Sequence, residues 1–115
     1  MDLNQAFSLL RKEKELLAQA LDLAECQLEL LESGRIEDFD VLLSLRATPM
    51  TQLAGIETNF GEEMPEIGNT LSANEASEFQ ELNTQIITMA NRIIEIDQKS
   101  EQLAEQHHLC ISWPF

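Results

Sequence analysis

Tyrosine is absent from this sequence, tryptophan occurs once, glycine four times and proline three times. So few aromatics and turn residues exclude a β-sandwich or barrel, which needs a turn every ~8–12 residues. Cationic side chains are scarce too: seven Lys and Arg stand against 21 Asp and Glu, a formal charge of −14. DNA, RNA and anionic membrane surfaces would be repelled by such a chain. Between Ala47 and Asn91 there is no Lys or Arg at all, against seven Glu. Long apolar runs are missing as well. Nothing approaches the ~18 residues of a membrane span, and the first residues lack the ~7–15-residue apolar core of a secretory leader. The expectation is a cytoplasmic protein that neither binds nucleic acid nor inserts into a membrane. Cys26 and Cys110 show no metal or redox spacing and read as ordinary thiols.

Side chains for chemistry are equally few. Histidine occurs only at His107 and His108, and no glycine-rich phosphate loop or nucleophile elbow appears. Glu105-Gln106-His107-His108 contains one Glu-x-x-His unit, whereas di-iron bundles need two, with carboxylates from two further helices. His107 and Cys110 make a pair of ligands, which is not a site. We therefore expect no catalytic residue, no cofactor and no metal, and a protein that acts by binding rather than as an enzyme.

What the chain does have is Leu, Ile and Ala at helical spacing. Leu3, Phe7, Leu10, Lys14, Leu17, Leu21, Ala24, Leu28 and Leu31 advance in alternating steps of four and three, a heptad seam with Lys14 as its one defect. A second row, Leu9, Leu16, Leu23 and Leu30, widens the stripe enough for the helix to touch two neighbours. Glu15, Asp22, Glu25 and Glu29 occupy the opposite face, and Gly34 supplies the stop. Acidic Glu37, Asp38 and Asp40 then suit a new helix N-terminus. Ile36, Phe39, Leu43, Arg46, Met50 and Leu53 continue the rhythm across Pro49. Pro49 either kinks this helix or restarts it with Thr48 as cap, and the unbroken register favours the kink. The pattern fails from residue 59. Ser72 and Glu75 form a capping box, and Phe79, Leu82, Ile86, Met89, Ile93, Ile96, Ser100, Leu103 and His107 resume the spacing, widened by Ile87 and Ile94.

The spacing predicts one all-α domain over residues 1–115: an antiparallel helical bundle with coiled-coil-like packing. Two long amphipathic helices (about 2–33 and 73–108) flank a kinked one (about 36–58), with a loop at 59–72 and an apolar tail at 109–115. Lys14 and Arg46 interrupt the apolar seams. Each either snorkels past the seam's edge or pairs with a carboxylate such as Glu37 or Asp97 and sets helix register. The tail, with Trp113 and Phe115, either caps the bundle or forms an aromatic hook.

Two stretches resemble FlgN-type flagellar export chaperones. Leu9-Leu10-Arg11-Lys12-Glu13-Lys14-Glu15-Leu16-Leu17 is similar to their first helix. Leu30-Leu31-Glu32-Ser33-Gly34-Arg35-Ile36-Glu37-Asp38-Phe39 resembles their junction of leucines, small turn, acidic restart and apolar residue. Arg46 falls where that family usually has a basic residue, and Ile93-Ile94-Glu95-Ile96-Asp97-Gln98-Lys99 is similar to its closing segment. FliT-type chaperones share the general look. Pro49 departs from the pattern, standing where an ordinary helix former is usual. The resemblance implies a cytoplasmic, ATP-independent chaperone that holds the amphipathic C-terminal helix of a filament-associated subunit and hands it to the export apparatus. The alternative is a structural or adaptor coiled-coil protein working through self-association or a stable complex. For either role the apolar run of the last helix predicts a client groove at Ile93, Ile96 and Leu103. Trp113 and Phe115 would close over it, and Glu95, Asp97, Glu101 and Glu105 would select basic flanks. The wide stripe of the first helix also predicts a homo-oligomer.

Overall fold

A computed structural model describes residues 2–63, 66–67 and 69–106. The expectations for His107, His108, Cys110, Trp113 and Phe115 lie outside the described residues. The described chain forms three long helices, α1 (Leu3–Glu32), α2 (Ile36–Phe60) and α3 (Ala73–Gln106), with no strand among the described residues. This is the all-α bundle the spacing predicts. Its extents are 52 × 22 × 16 Å.

Each boundary has a chemical cause. At the start of α1 the Asp2 carboxylate accepts from the Gln5 N–H at 2.7 Å, satisfying one of the orphan donors of the first turn. At its end Gly34 takes φ 75°, the left-handed region that favours glycine. The Gly34 N–H then donates to the Leu31 carbonyl (3.1 Å) and the Arg35 N–H to the Leu30 carbonyl (2.9 Å), a Schellman closure. In α2 the first turn carries Glu37 and Asp38, and the Arg35 guanidinium pairs with Asp38. The box at the head of α3 is reciprocal: the Ser72 N–H donates to Glu75 Oε1 (3.0 Å) and the Glu75 N–H to Ser72 Oγ (3.3 Å). The bond from the Ser72 backbone, followed by that from its hydroxyl, holds the Glu75 carboxyl below its ordinary 4.5. This cap therefore contributes stability at neutral pH and loses it as the pH falls through the lowered value.

Pro49 does not divide α2. The helix runs unbroken from Ile36 to Phe60, with Pro49 buried inside it, so the restart at Thr48 is excluded. A proline deprives the carbonyl four residues earlier of its partner. That residue is Leu45, whose carbonyl has no N–H at position 49 to accept from.

The helices run up, down and up, and three apolar clusters trace their register. At one end Ala6, Phe7 and Leu10 meet Leu82, with Phe79, Ile86 and Ile67 against them. The Phe7 and Phe79 rings stand edge to face, 6.0 Å apart at 87°. In the middle Leu17 and Ala20 meet Ile93, with Met50, Leu53 and Met89 closing around. At the far end Leu31 meets Phe39 and Leu43, joined by Ile36 and Leu103. α1 packs closely on both α2 and α3, while α2 and α3 approach each other less closely. The double row of α1 thus serves two neighbours: Leu16 and Leu17 are both buried.

Candidate protein-binding surfaces and a buried polar layer

Between the middle and far clusters a polar layer crosses the core beside buried Ala24 and Ile96. Arg46 of α2 is 1% exposed, an unusual place for a cation unless it is paired. Its Nη1 donates to Asp97 Oδ1 at 2.7 Å and its Nη2 to Asp97 Oδ2 at 2.6 Å, the fork-to-fork geometry that makes Arg–carboxylate pairs strong. Nη1 also donates to Gln27 Oε1 of α1 at 3.1 Å. One guanidinium therefore ties all three helices at one level. Of the two readings open for Arg46, the pairing with Asp97 holds. Glu37 stays exposed at the head of α2, and Lys14 is half-buried. A shift of one helix by a single residue would carry a charge away from its partner, so the layer fixes register.

A second charged group sits against the core with the opposite consequence. Burial, with the Glu57 carboxylate of α2 adding to it, pushes the Glu13 carboxyl above its ordinary value of 4.5. The folded state therefore holds this proton more tightly than the unfolded chain, and ionised Glu13 is a liability that grows as pH rises through the raised value. Glu13→Gln should make the protein modestly more stable at neutral pH, and the gain should shrink on acidification. Thermal melts of both forms across pH 4–7 check this; a gain that grows in acid would contradict it.

The expected client residues require a correction. Ile93 is 5% and Ile96 1% exposed, both within the closed core, and Leu103 is half-buried against the Leu31–Phe39–Leu43 cluster. They hold the bundle together because they point to the middle of the stripe, and a client reaches Ile93 or Ile96 only if the bundle opens. The apolar side chains that α3 leaves in water are their neighbours Ile87 and Ile94, 59% and 53% exposed. Seven residues apart, they share one side of the helix. Glu95, Glu101 and Glu105 are exposed on the same helix, Glu95 lying 3.3 Å from Arg92. On α2 the exposed pair is Val41 and Leu45, four residues apart. Periodicity marked Ile87 and Ile94 as widening the stripe; Val41 carried no such signal.

Among the described residues no three His, Cys, Asp or Glu side chains converge as metal ligands would, and no helix is long and apolar enough to cross a membrane. Comparison with known proteins returns no match: no family model, no curated protein and no solved structure is significantly similar to this chain.

Proposed function

We propose that this protein acts by holding an amphipathic helix of another protein, as a chaperone of the export type its sequence resembles, and that it performs no chemistry. The observation that carries the reading is the pair Ile87 and Ile94, more than half exposed on an acidic helix. Apolar surface in water costs ~25 cal/mol per Å², so a helix laid across these two side chains gains from covering them. Nearby carboxylates favour a client with Lys or Arg flanking its apolar stripe, and such attraction weakens as salt is added. The closed core supports a chaperone over an adaptor that is stable only within its assembly: with three apolar clusters and a paired Arg46, the bundle has what it needs to stand alone.

The test uses a synthetic Leu/Ala helix with lysine flanks, titrated calorimetrically into the full chain, beside the same helix with glutamate flanks. The lysine form is expected to bind and to weaken with salt, and the glutamate form to bind poorly. Ile94→Asp should cost about tenfold or more in affinity, the equivalent of ~1.4 kcal/mol. An Ile94→Asp variant that binds as well as the parent removes this surface from the reading. A chain ending at Gln106 reports whether Trp113 and Phe115 contribute.

A further inference from the structure

We propose that the outer face formed by α1 and α2 is where two copies of this chain meet. Leu9, Lys12 and Leu16 of α1 line a groove with Gln52, Ile56 and Phe60 of α2, which places these positions on the side of the bundle away from α3. Whole turns carry each row further along the same side. On α1, Gln19 and Cys26 follow Lys12, and Leu23 and Leu30 follow Leu16. On α2, Leu45 and Val41 precede Gln52 by seven and eleven residues. Val41 and Leu45 are 60% and 56% exposed. Leu9, Leu23, Leu30, Ile56 and Phe60 are half-buried by the bundle and still partly in water.

The charges select the occupant. In a chain with 21 Asp and Glu, these rows hold no carboxylate between Val41 and Phe60 or between Leu9 and Leu30. Asp38 closes the α2 row, and Lys12, the one charged residue within them, pairs with Glu15 at the edge (3.8 Å). Two copies of formal charge −14 repel one another through every acidic surface. They meet with least repulsion through the face poorest in carboxylates. A basic partner has the opposite preference: it is drawn to the acidic sides and finds little here beyond the Lys12–Glu15 pair. Size is consistent with this choice. From Leu9 to Leu30 the face runs roughly 32 Å, at ~1.5 Å per residue, and two helices abreast are about 20 Å wide. That footprint, on the order of 600 Å², approaches the ~800 Å² per partner of a standard interface. A two-fold arrangement uses the same patch on both copies and leaves Ile87 and Ile94, on α3, free.

Sedimentation equilibrium of the full chain tests this. A reversible dimer is expected, tightening as salt screens the repulsion between copies. Leu45→Glu puts a carboxylate in the face at an exposed position and should weaken association by about tenfold or more with the helical circular dichroism unchanged. Ile94→Glu, on α3, should leave association unaltered. In a Cys110→Ser background, alkylation of Cys26 should slow as protein concentration rises. A chain that stays monomeric at high micromolar concentration and high salt overturns the proposal, as does a dimer lost with Ile94→Glu but kept with Leu45→Glu. The client reading stands or falls separately: a monomer that binds the lysine-flanked helix sinks only the dimer, and a dimer that ignores the peptide sinks only the client.

Discussion

Asp97→Ala is expected to lower the stability of the bundle by about 3 kcal/mol, more than truncation of most of its apolar side chains. The reason is what remains behind. Arg46 is 1% exposed and loses a bidentate partner held at 2.6–2.7 Å, so a buried guanidinium gives up its fork-to-fork carboxylate while its desolvation cost remains. The Asp97 side chain is itself 23% exposed, so some water reaches the site and holds the loss to the lower end of the range for buried pairs. Removing both charges together is different. Arg46→Met with Asp97→Leu should recover most of the stability, because the desolvation cost of both ions disappears with their attraction. Recovery stays short of complete, because the change also takes the Arg46 donor from Gln27 Oε1, on a buried amide whose Nε2 already lacks a protein partner. Urea unfolding of the single and double variants reads this directly. A loss below about 1 kcal/mol for Asp97→Ala would mean the pair behaves as a surface salt bridge does.

Phe39→Ala should cost about 3–5 kcal/mol. Phe39 is fully buried and sits with Leu31 and Leu43 where α1 turns into α2, with Ile36 and Leu103 packed against it. Truncation leaves a ring-sized void at a junction pinned by the Gly34 closure, so the walls have little freedom to collapse. The loss should be accompanied by faster amide exchange in the first turns of α2. Two residues on, Val41→Ala should change stability by no more than about 0.5 kcal/mol, since that side chain is 60% exposed. Similar losses at both positions would contradict the burial on which the assignment of core and surface rests.

Much of this architecture was legible in residue spacing, for a physical reason: steps of three and four bring side chains to one line only on an α-helix. The Gly34 stop and the Ser72–Glu75 box could be read because their chemistry is local, confined to four or five neighbouring residues. The candidate site was less legible. Ile93 and Ile94 are adjacent and identical in type, yet one is 5% and the other 53% exposed. Periodicity tells which residues share a side of one helix, not how far around that helix its neighbours reach. Arg46 was ambiguous for the same reason. Its partner lies 51 residues away, and pairing rather than snorkelling is decided by the level at which α2 meets α3.

The polar layer also bears on how the protein melts. On every helix it falls between two apolar groups: Gln27 between Ala20 and Leu31, Arg46 between Leu43 and Met50, Asp97 between Ile93 and Leu103. Apolar contacts couple neighbouring turns into one cooperative unit, and a layer of ions and amides interrupts that coupling without breaking the helices. The molecule therefore consists of two dry compartments separated by a partition. The smaller one, around Leu31, Phe39 and Leu43, is expected to open before the longer one. Native-state hydrogen exchange should then divide the amides into two groups at the level of Arg46, and removal of the partition by the apolar double replacement should merge them into one.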